Sequence, residues 1–436
     1  MKRGVLALVA VVWVGFGAWP AAAQAPGEEA GGSTRELTDL VNALLGTLMG
    51  GEDVSGTRLQ EEVARVGGIP FRWDVPIAYM GHDELVRYLD DLLEEEYPPA
   101  VAEADQRMLV AFDLLEPGTD LRALRARMLE DNVAGFYDER PGRRRLYSVS
   151  DDRSLTPMNQ IVLAHELRHA LQDQYGDLYS GVSEDVSDFD DRRLAFVSLL
   201  EGDATLVMER FVQGRLGLLG SPIGADVGGF DSGAFDSGLA VPGLFDLPGA
   251  PRVVRDHLLM PYLVGRDLAR AIDADGGAEG MIEAWRRPPD STEQVLHPDK
   301  YLSREAPRPV VPRPDPPAGR LLGQGVLGEL LLRTLLEQDA DAPATAGWGG
   351  DAWRLWDTGG RTVLVWKSVW DTAADASEFD AALRARLAHR LGRGERRGDW
   401  SVFARGDGWR FAVRHEGDTV DLRSAEVERD LGALLD

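Results

Sequence analysis

Apolar residues recur every three or four positions from Thr34 to Met49, where Leu37, Leu40, Val41, Leu44 and Leu45 share one side. The same period runs from Asp83 to Glu130, interrupted near Pro98 and at Pro117–Gly118. Both stretches predict amphipathic helices packed on a core. The pattern changes at NVAGFYDERPGRRRLYSVS, Asn132 to Ser150. It predicts two short strands around a turn at Pro141–Gly142. A helix is expected from Pro157, and a long apolar one from about Arg192 to Gln213 after the acidic run Ser183 to Asp191. Further helices are expected at Asp256 to Ala274, near Met281, at Gln324 to Leu336 and at Ala374 to Leu391. WRLWDT, RTVLVWKSVWDT, WSVFARGDG and WRFAVRHEG read as strands separated by turn residues. Their tryptophans suit strand packing better than a carbohydrate platform.

Composition sets the divisions. The 436 residues suggest two or three domains. Lys2 and Arg3, the apolar run Val5 to Trp19 and the small residues Ala21 to Ala23 have the layout of a secretory signal peptide cleaved after Ala23. The expected order is a signal at 1–23, a flexible leader and N-terminal helix at 24–80, and a metal-binding domain at 81–306. A Pro-rich linker at 307–318 and a β-rich α+β domain at 319–436 follow. The fold class expected is α+β, with no membrane span after signal cleavage and a secreted or extracytoplasmic location. Gly220 to Ala250, with its FDSGAFDSG duplication, reads as a long loop or lid. Its aspartates match no EF-hand spacing, so calcium is not expected there. The formal charge of −26 argues against nucleic acid as a partner. The absence of cysteine excludes disulfides, thiol catalysis and thiolate metal sites.

The chemistry concentrates in VLAHELRHALQDQ, Val162 to Gln174. His165 and His169 stand four apart, on one face of a helix, so both imidazoles can reach one cation. Zinc accepts neutral imidazole. Glu166 flanks that face, where it can take a proton from a metal-bound water. Leu163, Leu167, Ala170 and Leu171 occupy the opposite side and are expected in the core, leaving a polar front. A catalytic zinc needs a third protein ligand. Glu201, among Leu194, Val197, Ala204, Thr205 and Met208 on the next helix, is the leading candidate, because an ionised carboxylate on an apolar face needs a partner. Asp173 and Asp177 are its rivals. Asp203 is expected to support a ligand or to pair with an arginine such as Arg210.

These residues resemble the gluzincin class of zinc metallopeptidases. HELRHALQDQ, LLEGDA, PPDSTEQVLHPDKY (Pro288 to Tyr301), GWGGD (Gly347 to Asp351) and WDTAADASEF (Trp370 to Phe379) are similar, more closely, to a group of exported bacterial and archaeal proteins. The resemblance implies a mostly helical zincin-like domain with a small edge sheet. It also implies Zn2+ held by His165, His169 and Glu201, with Glu166 as general base. Glu201 lies 32 residues beyond His169, farther than in thermolysin-like members, and their asparagine-containing ligand motif is missing. GFYD and RLYSVS would be similar to the zincin strands that bind extended peptide. His297 is the candidate donor to the oxyanion, with Tyr262 and Tyr137 as alternatives. His82, His257, His389 and His415 are expected at surfaces or interfaces. The expected function is a secreted zinc peptidase acting on a peptide or protein, or a hydrolase of another amide. The alternative is an inactive exported metal-binding scaffold, marked by a closed site.

Overall fold

The computed structural model describes residues 55–150, 155–176, 178, 187–215, 249–316, 318–337 and 343–435. The signal segment, the Thr34–Met49 helix, most of the expected lid and Asp177 lie outside the described residues. Helix α1 (Gly56–Gly67) precedes strand β1 (Ile77–Met80), which sequence reading did not anticipate. Helices α2 (His82–Glu96), α3 (Pro99–Ala111) and α4 (Leu121–Asn132) follow. Their breaks fall where Pro98 and Pro117–Gly118 were expected to place them, because proline cannot continue a helix. Strands β2 (Gly135–Asp138) and β3 (Arg145–Val149) form the expected hairpin, with Gly142 in its turn at φ 83°. The small sheet has the order β1-β3-β2, with β1 parallel and β2 antiparallel to β3.

Three helices build the centre of this half: α5 (Pro157–Gly176), α6 (Asp191–Arg215) and α7 (Arg252–Arg286). Pro157 opens α5, and the Thr156 hydroxyl caps it by accepting from the Asn159 amide at 3.2 Å. The expectation of an apolar back and polar front fails for α5. Residues 160 to 174 are buried all round, polar side chains included, because α6, α1 and the small sheet enclose it. Within α7 the two helices expected at Asp256 and near Met281 are both present and meet at a break at Gly277, whose φ of 56° suits glycine.

Short helices α8 (Thr292–Leu296) and α9 (Pro298–Leu302) lead through a proline-rich segment to β4 (Arg320–Gly325). Helix α10 (Gly328–Leu335) starts later than expected because β4 takes its first residues. Then come β5 (Trp348–Asp357), β6 (Thr362–Trp370), α11 (Ala373–Leu391), β7 (Glu395–Arg397), β8 (Trp400–Ala404), β9 (Arg410–Glu416), β10 (Thr419–Ala425) and α12 (Glu428–Leu435). The seven strands make one antiparallel sheet in the order β4-β5-β6-β10-β9-β8-β7. The chain is therefore mixed α and β, with a C-terminal β-sheet. Trp348, Trp353, Trp366 and Trp370 are core residues of that sheet.

Both halves share an apolar core. Met108, Leu109 and Phe112 of the N-terminal half pack with Leu331, Trp366, Phe379 and Leu422. Buried aspartates brace each half, and Asp190 ties the two together. Asp351 of GWGGD accepts from the Leu327 and Gly328 amides, both at 2.8 Å, and from the Trp348 and Trp366 indoles, both at 3.0 Å. Asp190, just before α6, accepts from the Val326 amide at 3.1 Å, and Asp191 accepts from the Thr292 amide at 2.9 Å. The start of α6, ten residues before Glu201, is thereby fixed to the start of α10. No helix among the described residues is long and apolar enough to cross a membrane.

Candidate metal centre

His165, Glu166 and His169 stand on α5, and Glu201 faces them from α6. The Nε2 atoms of His165 and His169 are 3.0 Å apart. Glu201 Oε2 lies 3.2 Å from His165 Nε2 and 3.6 Å from His169 Nε2. Ligands about 2.0–2.1 Å from a tetrahedral zinc are separated by 1.63 times that length, or about 3.3–3.4 Å. The three observed separations bracket that value, so a zinc ion fits their common centre. His165, Glu166 and His169 are at most 1% exposed and Glu201 is 3% exposed.

Hydrogen bonds set the ring orientation. The Gln172 amide nitrogen donates to the Leu200 carbonyl at 2.9 Å and to Asp203 at 2.8 Å. Its oxygen must therefore accept from His169 Nδ1, 2.7 Å away. The proton on Nδ1 leaves a lone pair on Nε2, aimed at the ligand centre. Asp203 is held in turn by Arg168 in a two-pronged pair of 2.8 and 2.9 Å. This corrects the expected Asp203–Arg210 pairing: Arg210 reaches Asp273 instead. Gln172 was not singled out in the sequence, although its place three residues after His169 put it on the same face.

Helix contact places the carboxylate. Gly202 on α6 meets Gly265 on α7 backbone to backbone, with room for no side chain. This approach brings Tyr262, one turn before Gly265, to the centre. Its ring stacks on His165 at 6.0 Å between centroids. Burial raises its hydroxyl well above the ordinary range, and the nearby Glu201 adds to the effect.

Two buried polar atoms at the site lack a partner: Glu166 Oε1 and His165 Nδ1. The other oxygen of Glu166 accepts from the Tyr137 amide on β2 at 3.0 Å. Burial raises the Glu166 carboxyl well above its ordinary range, and Glu201 adds to the effect. Burial lowers His165 and keeps it neutral, outweighing the pull of Glu201. Burial would raise Glu201 too, but the two imidazoles overcome it and hold this carboxyl below its ordinary range. Imidazole nitrogens beside an ionised carboxylate are a donor set that suits zinc.

The other candidates fall elsewhere. Asp173 is not turned to the centre: it accepts from the Tyr137 hydroxyl at 2.9 Å, from the Leu178 amide at 3.1 Å and pairs with Arg144 at 2.9 Å. Tyr137 thus meets the site through its backbone, while its hydroxyl is spent on Asp173. His297 is corrected as well. Its ring is bound to Glu329 of α10 at 3.0 Å, and that carboxylate raises its pKa. The charged groups around it are Glu329, Arg333 and Glu293, none of them at the metal centre. His297 thus links the end of α8 to α10, while Tyr262 is the hydroxyl-bearing ring that the fold brings beside His165. Glu293, Glu305 and Asp371 form a second cluster of metal-ligating groups among the described residues. The Lys300 ammonium reaches all three, at 2.6, 2.8 and 3.0 Å, and supplies the cation itself. His82 and His389 are exposed and His415 is half-buried. His257 instead faces a cavity beside Glu201.

A family described as a domain of unknown function (DUF8575) matches residues 319–435. That stretch holds the seven-stranded sheet and none of the metal-site residues. No curated protein and no solved structure matches the chain.

Proposed function

We propose that the protein is an exported, zinc-dependent hydrolase of peptide bonds, with a zincin-like metal domain. The observation that carries this reading is the convergence of His165, His169 and Glu201 at 3.0–3.6 Å, with the Glu166 carboxylate beside them. Zinc bound there would supply Lewis acidity towards a carbonyl and towards water. The chain's own groups supply the proton chemistry. Glu166 Oε1, free of protein partners, accepts the proton of the attacking water, while Oε2 stays anchored on Tyr137. A carboxyl raised by burial holds that proton until it reaches the leaving amine. The Tyr262 hydroxyl, beside Glu201, is placed to donate to the oxygen that gains charge. Strand β2 is an edge of its sheet and lies along α5, where an extended peptide would align.

One observation favours the second reading, a metal-binding scaffold without catalysis: all four side chains are almost wholly buried. The cavity of about 70 Å³ that reaches Glu201 and Tyr262 weighs against it, because it has room for about two waters at a liquid share of roughly 30 Å³ each. The test is Glu166→Gln. The variant should keep one zinc per chain and lose peptide-library cleavage; turnover surviving in a contaminant-free preparation refutes the assignment.

A further inference from the structure

The cavity beside the metal centre has an uneven lining. Glu201 and Tyr262 form one end, and Arg125, Asp188, Arg193 and His257 form the other, with apolar side chains between. Asp188 bridges the two guanidiniums: one oxygen meets Arg125 and the other lies 3.2 Å from Arg193 Nε. Two cations therefore share one carboxylate of the lining. Arg125 is further fixed over the Tyr97 ring at 4.6 Å. Arg193 is 9% exposed and meets Asp188 through Nε. His257 Nδ1 is buried without a partner.

Other acids near the arginines do not neutralise them fully. Asp105 is taken by the Ser187 hydroxyl at 2.6 Å and the Tyr97 hydroxyl at 3.2 Å. Glu96, Glu139 and Asp190 lie within range of Arg193. Burial pushes Asp105 up to about 6 and Glu96 to about 7, and raises Glu139 well above its ordinary range, so burial weakens the hold of these acids on the guanidiniums. At the His257 ring the arginines outweigh the acids: after burial itself, Arg125 and Arg193 are what lower it, to about 3.

We propose that this pocket is a subsite for a carboxylate carried by the peptide substrate, held by Arg125 and Arg193. The inference rests on the peptidase reading and names a substrate class for it. Arg193, Val197 and Glu201 recur every four residues on one face of α6, so the arginine lies along the line leading away from the metal. Eight residues of helix separate the Arg193 and Glu201 Cα atoms by about 12 Å. An extended chain advances about 3.3–3.6 Å per residue. The carboxylate is thus two to three residues from the bond that is cut, once the reach of the arginine is counted. The volume of about 70 Å³ admits one short acidic group and little more.

The test uses full-length Glu166→Gln protein, with zinc and after chelation, and calorimetric titration of three probes. These are acetyl-Ala-Ala-Ala with a free C-terminal carboxylate, its C-terminal amide, and acetyl-Ala-Asp-Ala-amide. A carboxylate-bearing probe should bind about tenfold or more tighter than the neutral amide, as charge-assisted hydrogen bonds require. Added Arg193→Met or Arg125→Met should remove that difference and leave the neutral probe unchanged, whereas Arg193→Lys should retain part of it. Preference for the free acid assigns the pocket to a chain end; preference for the aspartyl probe assigns it to an acidic side chain. Equal binding of all three probes overturns the proposal without any need for the arginine variants. So does a preference that survives both methionine variants, since the metal would then be its source. Zinc-loaded wild type that cleaves all three probes alike would remove the subsite and leave the hydrolase standing. Discrimination without turnover would do the reverse.

Discussion

Gly202→Ala is the sharpest test of how the third ligand is placed. A Cβ at Gly202 would stand 1.9 Å from the Gly265 carbonyl carbon, 2.1 Å from its oxygen and 2.4 Å from the Arg266 nitrogen. Ordinary contact begins near 3.4 Å, so α6 and α7 must part by about 1.5 Å, and both sides of the clash are backbone. Overpacking of this kind costs about 1–3 kcal/mol, and a clash with no side chain free to yield belongs at the upper end. About 3 kcal/mol lowers the melting temperature by on the order of 5 °C in a protein of this size. The same movement draws Tyr262 away from Glu201 and Glu201 away from His165, so zinc affinity should fall at least about tenfold. The matched control is Gly276→Ala on α7, the helix that carries Gly265, where an added Cβ meets nothing within 4 Å. That change should be neutral or stabilising by up to about 1 kcal/mol. Thermal unfolding and zinc competition against a chelator measure both effects. A Gly202→Ala protein with unchanged melting temperature and zinc affinity would refute the close-packing argument.

Gln172→Met keeps the volume but removes the acceptor on His169 Nδ1; zinc affinity should fall about 10–100-fold with little change in fold, again read by chelator competition. Glu96 is 7% exposed and its carboxyl is pushed up to about 7 by burial, against 4.5 for the free group. A raised carboxyl pKa penalises the folded state fully above pH 7, and the penalty is relieved as pH falls towards 4.5. Glu96→Gln should therefore stabilise the protein at pH 8 by up to about 3 kcal/mol and make almost no difference near pH 4.5. Urea midpoints at the two pH values measure this, and a gain that is larger in acid contradicts it.

The site was legible in the sequence where helical spacing alone decides it. His165, Glu166 and His169 needed only the four-residue repeat, and Glu201 needed only the rule that a carboxylate on an apolar face has a partner. What failed depends on tertiary contact. His297 follows a helix that docks on α10, so its partner became Glu329, a residue 32 positions away that no local pattern names. Asp203 chose Arg168 over Arg210 because α5 lies against that side of α6. The same holds for the fold. Proline breaks and the β2–β3 hairpin were read correctly, since turn chemistry is local. β1, β4, β7 and β10 were missed because their residues become strands through pairing, with β3, with β5, with β8, and with β6 and β9 respectively. The burial of α5 on every side could not be read from a helix whose polar residues find partners only in the folded chain.

X-ray absorption at the zinc edge of the full-length, zinc-loaded protein tests the central claim most directly. The account predicts one zinc per chain in a four-coordinate shell of nitrogen and oxygen near 2.0 Å, two of the neighbours being imidazoles. Replacing Glu201 by alanine should remove one oxygen of that shell and most of the affinity. A six-coordinate oxygen shell, or a spectrum unchanged by Glu201→Ala, would contradict it.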